Sequence, residues 1–176
     1  MANTQWVIDG THSEIQFKVK HLMITTVTGN FNVFSGTVTT NEEDFTTAAI
    51  EFNADLNSIN TNNEQRDQHL KSADFFDAEK FPRLQFSKGS LQQNGADWVL
   101  NGELTIKEVT RPVSFDVEFA GTQKDPWGNL KAGFSLNGKI NRNEFGLTWN
   151  AALETGGMLV SEDVKIQAEI QLLKSA

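Results

Sequence analysis

The stretch Glu14-Ile15-Gln16-Phe17-Lys18-Val19-Lys20 decides the fold. Ile15, Phe17 and Val19 share one parity, and Glu14, Gln16, Lys18 and Lys20 share the other. An extended chain sends alternate side chains to opposite faces, so this segment reads as a half-buried strand. The same period recurs at Phe31 and Val33, then at Ile50, Phe52, Ala54 and Leu56 against Glu51, Asn53 and Asp55. Leu84 and Phe86 pair with Trp98, Leu100, Leu104 and Ile106 through the turn signal Asn94-Gly95. Val113, Phe115, Val117 and Phe119 form a sixth strand, and the turn around Pro126 to Asn129 leads to Ala132, Phe134, Leu136 and Ile140. A last strand carries Val164, Ile166, Ala168, Ile170 and Leu172.

That makes about eight strands, a number at which an antiparallel sheet closes and removes its edges. The expected fold is therefore all-β: an eight-stranded antiparallel barrel of lipocalin-like shape, forming one domain over residues 1–176. One stretch breaks the alternation. From Ser58 to Pro82 the chain carries Thr61 and Glu64 at capping-box spacing, which predicts a short helix running to about Lys71. This helical insertion, about 58–82, lies between strands 3 and 4 of the expected barrel. It brings Leu70, Phe75, Phe76 and Phe81 to one opening as a lid. The Gly- and Asn-rich stretch Asn141 to Ser161 reads as a long connection at a barrel end.

Composition narrows the function. Fifteen basic against 23 acidic residues give a formal charge of -8, which opposes binding to nucleic acid and to anionic headgroups at long range. There is no cysteine, so thiol chemistry and cysteine metal sites are excluded. No stretch approaches the roughly 18 apolar residues of a membrane span, so no stable membrane insertion is expected. As written the chain reads as cytoplasmic, and as periplasmic if a signal peptide has been removed.

Catalysis finds little support. His12 and His21 bracket one strand on opposite parities and would stand on the order of 30 Å apart at roughly 3.3 Å per residue. That spacing leaves no metal site with His69. The carboxylates Glu51, Asp55, Glu103, Asp116, Glu118 and Glu169 all fall on the solvent parity, where acids serve solubility. No G-x-S-x-G elbow is present, the histidines have no evident acidic orienter, and no phosphate-cradling glycine loop occurs. The chain is not expected to be an enzyme, and no cofactor is implied beyond a bound long-chain lipid.

The aromatic content is uneven, with 13 Phe and 4 Trp and no Tyr. Phe supplies apolar area without a hydroxyl that needs a partner, so the interior is expected to be dry. Two readings stand at this point: a solid core of packed rings, or a hollow barrel that holds a long-chain amphiphile. In the hollow reading the chain pocket is lined by Phe17, Val19, Phe31, Phe52, Phe86, Leu104, Phe115 and Phe134, and Phe75 and Phe76 close the mouth. His21, Arg66 and His69 then choose the headgroup at the rim. Arg142 is read as packing over Trp6 or Trp149 in a cation-π contact that closes a barrel end.

The motifs in order resemble the YceI-like family of lipocalin-like proteins. They run from Trp6-Val7-Ile8-Asp9 and His12-Ser13 through His21-Leu22, Gly29-Asn30-Phe31 and Ser58-Ile59. Arg66-Asp67 with His69-Leu70, Asp74-Phe75-Phe76-Asp77-Ala78 and Lys80-Phe81-Pro82 are the most specific. Leu104-Thr105-Ile106, Pro112-Val113, Asn141-Arg142 and Asp163-Val164 follow. The resemblance implies an extended barrel enclosing a hydrophobic pore for isoprenoid chains, such as polyprenyl phosphates or quinones, or other long lipids. It further implies no catalytic residues, and homodimers among relatives. Glu108 departs from the family's usual glycine in the turn after Ile106.

Overall fold

The computed structural model describes residues 3–151 and 159–175. Eleven strands form one antiparallel sheet: β1 (Asn3–Ile8), β2 (Glu14–His21), β3 (Thr25–Phe31), β4 (Phe34–Asn41), β5 (Asp44–Asp55), β6 (Ile59–Asn60), β7 (Arg83–Asn94), β8 (Asp97–Ile106), β9 (Val109–Lys124), β10 (Leu130–Asn141) and β11 (Asp163–Lys174). The order β1-β4-β5-β7-β8-β9-β10-β11 returns to β1 through Ile8↔Leu172, which closes an eight-strand barrel. At the other end β2 takes over the edge of β11 through Ala168↔Ile15, followed by β3 and β6.

The count of eight and the count of eleven describe one wall. β11 pairs with both β1 and β2, β1 pairs with β4 while β2 pairs with β3, and β5 and β6 continue the sequence on the next position. Three long strands are thus each bent into two. Two of the bends are 3₁₀ turns, Gly10–His12 and Leu56–Ser58, capped by the Asp9 and Asp55 carboxylates, which accept from Thr11 N–H and Asn57 N–H. The third is the irregular Asn32-Val33 step.

The helix α1 (Glu64–Lys71) consequently follows β6 and precedes β7, and the expected position between strands 3 and 4 is corrected. Each bend also swaps the inward parity, from Trp6 and Ile8 to Ile15 and Phe17, from Phe31 to Val38, and from Ala54 to Ile59, so a single parity carried onward does not separate the split strands and leaves Val33 exposed rather than inward. The capping box is also corrected. Asn63 is the N-cap, its side chain accepting from Arg66 N–H at 3.0 Å, while Thr61 donates both its N–H and its hydroxyl to Asp67.

One turn follows the expected chemistry and a second departs from it. The β7–β8 hairpin turns at Gly95, at φ +63°, which glycine adopts without steric cost. The β8–β9 turn places Lys107 at φ 58°, a left-handed conformation beside the departing Glu108.

One end of the barrel is plugged by rings. Trp6 is fully buried, donates from Nε1 to Thr40 Oγ1 at 3.1 Å, and packs 5.0 Å from Phe45. Phe45 touches Phe134 at 5.1 Å, and Phe134 stacks on Phe119 at 4.8 Å. Rings at these separations add attraction beyond the apolar area they bury. Among the described residues the helix-bearing end has no such plug and opens into the site.

Candidate functional site

The interior is not filled. A deep cavity of about 170 Å³ lies above the aromatic plug, and an outer cavity of about 430 Å³ lies beneath α1. Phe31, Leu84, Ile140 and Ile166 line both, so the two are stacked along the barrel and share a wall. The deep cavity is walled by apolar side chains such as Ile50, Phe52, Phe86, Leu100 and Phe115. An apolar void of that size resembles those that stay dry and accept hydrocarbon.

Glycines explain why so many phenylalanines leave space. A β-carbon on Gly102 would meet the Phe86 ring at 2.3 Å, one on Gly138 the Phe115 ring at 2.1 Å, and one on Gly29 the Phe17 ring at 2.2 Å. Each ring therefore lies flat over the bare backbone of a neighbouring strand. Gly29 faces Phe17 directly across the β2–β3 ladder. A side chain at any of the three glycines would push its ring into the lumen.

All thirteen residues proposed from the sequence line one cavity or the other. Phe52, Phe86, Leu104, Phe115 and Phe134 line the deep one, Phe31 both, and Phe17, Val19, His21, Arg66, His69, Phe75 and Phe76 the outer one. Phe134 stands at the closed end, as part of the plug. Phe75 and Phe76 form wall rather than a closing lid. Phe75 is buried against His69 at 5.0 Å and Trp149 at 5.4 Å, and Phe76 reaches inward to Phe31 at 6.3 Å.

The polar groups sit at the outer cavity. Arg66 donates from Nε to Thr61 Oγ1 at 2.8 Å and from Nη2 to Thr61 O at 2.7 Å, which holds its guanidinium at the cavity edge. His69 Nε2 lies 2.9 Å from Asp74 Oδ2, and its ring meets Trp149 edge-on at 4.7 Å. His21 is half-buried at the end of β2 and bridges Val160 across the sheet.

Arg142 is corrected most sharply. It is 3% exposed, and it meets Trp149 through that residue's backbone carbonyl rather than over its ring. Its guanidinium donates to the carbonyls of Ser161 at 2.8 Å, Trp149 at 2.9 Å, Leu147 and Val160 at 3.4 Å. These hydrogen bonds staple the connection after β10 to the barrel, and they bring Trp149, Leu147 and Val160 to the outer cavity. Burial pushes the guanidinium below its ordinary value while Glu162 pulls it back, and arginine remains charged at neutral pH. Parity reasoning missed Trp149, Leu159 and Val160 because they stand on irregular backbone.

The histidines do have acidic partners, contrary to the sequence reading. Besides His69 and Asp74, His12 Nδ1 lies 2.8 Å from Asp9 Oδ2. Hydrogen bonds from His12 and then Thr11 hold the Asp9 carboxyl well below the usual carboxylate range, with Lys131 Nζ 3.3 Å away. The Thr11 hydroxyl bonds to Asp9 and approaches the same ring nitrogen that faces Asp9, so it is not placed as an activated nucleophile. This cluster caps a turn on the outer surface. Among the described residues no group of three His, Asp or Glu side chains could hold a metal ion, and no helix is long and apolar enough to cross a membrane.

Known proteins share this chain's sequence and fold. The YceI-like domain model matches residues 6–172. A UPF0312 protein of Staphylococcus aureus is 41% identical over 169 residues, 96% of each chain. The crystal structure of the Campylobacter jejuni YceI protein is 31% identical and superposes with a TM-score of 0.76 over 90% of this chain and 91% of that one. A polyisoprenoid-binding domain from Saccharophagus degradans shares the fold, with a TM-score of 0.65 at 15% identity over 97% of this chain and 98% of that one. With its barrel, its insertion helix and nearly its whole length accounted for, the chain belongs to the YceI-like family.

Proposed function

We propose that the protein binds a long-chain amphiphile, with the chain in the deep cavity and the headgroup in the outer one. The carrying observation is the stacking of a cavity walled almost wholly by apolar residues beneath a larger one edged by Arg66, His69 and His21. Burying one CH₂ is worth about 0.8 kcal/mol, so a long hydrocarbon gains with every carbon that passes the shared wall. The closed aromatic end gives the chain one way in. The polyisoprenoid-binding domain of the same fold supports a lipid as occupant. This reading is of storage or carriage, with the barrel acting as a holder rather than as a catalyst.

Ala168 tests it, since it is buried on β11 and lines the deep cavity. Ala168→Phe fills that space with apolar volume and keeps the polar edge. A fluorescent long-chain probe is expected to bind the wild-type protein and to lose at least tenfold in affinity for the variant. Undiminished uptake by a folded variant contradicts a chain in the deep cavity.

A further inference from the structure

The chain as a whole is acidic, with 23 Asp and Glu against 15 Lys and Arg, yet its outer cavity has the opposite character. Among the described residues the ionisable side chains that line it are Lys20, His21, Arg66, His69 and Arg142, and no Asp or Glu lines it. The two arginines carry no carboxylate within ion-pair distance among the described residues. Arg66 is held by a hydroxyl and a carbonyl of Thr61, and Arg142 by four backbone carbonyls. Carbonyl dipoles solvate a guanidinium without cancelling its charge, so Arg142 keeps a fixed positive charge behind the cavity wall. The acids nearest these groups are not among the lining residues: Asp74 pairs with His69, Asp67 accepts from Thr61, and Glu162 acts on Arg142 from outside the cavity lining.

Arg66 has further donors. Nε and one Nη2 hydrogen are used on Thr61, and a guanidinium carries five N–H groups in all. Such a fork matches the oxygen spacing of a carboxylate or phosphate. A low-dielectric, apolar surround strengthens the attraction.

Resting on the lipid-binding reading above, we propose that the outer cavity selects an anionic headgroup, a carboxylate or a phosphate monoester, over a neutral one. A single-chain acid or a polyprenyl monophosphate would place its oxygens against Arg66 with His21 and His69 beside it. An alcohol, amide or quinone of equal chain length would leave that charge unanswered.

The test compares ligands of one chain length on the full protein: hexadecanoate, hexadecyl phosphate and hexadecanol, together with a polyprenyl monophosphate and a neutral isoprenoid quinone. Competition against a fluorescent long-chain probe gives each affinity. The anionic members are expected to bind at least tenfold tighter than the neutral ones, and whichever of carboxylate and phosphate binds tighter names the source. Arg66→Gln is expected to remove most of that preference by weakening the anionic members far more than hexadecanol, and Arg66→Lys to retain part of it. His21→Gln, which leaves the Thr61 contacts intact, provides a second reduction should Arg66→Gln unfold. Equal or tighter binding of hexadecanol or the quinone overturns the anion selectivity and leaves the lipid reading standing. Failure of every ligand to bind overturns both.

Discussion

Gly102→Ala is the most informative small change in this barrel. The added β-carbon would sit 2.3 Å from Phe86 Cζ and 2.7 Å from Cε2. Carbon atoms pack at about 3.5–4.0 Å, so the ring must retreat by about 1.4 Å, and strand β8 behind it leaves only the lumen as a direction. Overpacking costs about 1–3 kcal/mol in a filled core. Here a cavity of about 170 Å³ receives the ring, so the stability loss is expected near the lower limit, about 1 kcal/mol. The space lost accommodates roughly two CH₂ groups, worth about 1.6 kcal/mol, or roughly fifteen-fold in Kd for a chain long enough to reach it. Short chains that end above Phe86 should bind as before. A series of fatty acids from 10 to 20 carbons, competed against a fluorescent probe, therefore separates the variant from wild type only at the long end. The double variant Gly102→Ala with Phe86→Leu should restore the wild-type profile. An unchanged chain-length profile in folded Gly102→Ala refutes the idea that these rings are held flat to keep the lumen open.

Three further outcomes follow from named contacts. Arg142→Met strands four carbonyls that the guanidinium satisfies, and should cost about 3 kcal/mol, a fall in Tm of about 6–12 °C by calorimetry, with the connection after β10 becoming protease-sensitive. Asp9→Asn removes a carboxylate held below its ordinary value of 3.8, so its stabilising contribution is present above that value and lost as the pH falls below it. Urea denaturation should show the variant weaker at pH 7, with the gap to wild type closing in acid. Lys107→Gly relieves a left-handed backbone at φ 58° and should raise stability by about 1 kcal/mol, whereas Lys107→Val should lower it.

The alternation in Glu14–Lys20 and its counterparts carried the closed barrel, since burial on one face leaves a period of two that any reader can extract. The eight strand residues named for the chain pocket, from Phe17 to Phe134, line one of the two cavities for the same reason, whereas Val33, read on the parity of Phe31, is exposed. What parity could not register was geometry off the strand. The turns at Gly10–His12 and Leu56–Ser58 divide strands and swap their inward parity, from Trp6 and Ile8 to Ile15 and Phe17 and from Ala54 to Ile59, which a pattern followed within one segment does not show, and this moved the helix relative to the strand count. Whether the phenylalanines filled the lumen was likewise undecidable from the apolar pattern, because the answer lay in Gly29, Gly102 and Gly138 on neighbouring strands. Those glycines signal close approach only when cross-strand register is known. Arg142 misled for a related reason: its partners are backbone carbonyls, which no sequence pattern displays. The acid partners of His12 and His69 were close in sequence, at Asp9 and Asp74, yet they were overlooked because each lies across a turn rather than along a strand.

Native mass spectrometry of protein purified from its own cells would show whether the barrel interior holds a long-chain amphiphile. A mass one long-chain molecule above that of the bare chain, released by organic extraction and absent from Ala168→Phe, is the predicted result. A bare mass that also fails to take up added fatty acid, polyprenyl phosphate or quinone would contradict it, and would make the two cavities packing defects of an otherwise structural barrel.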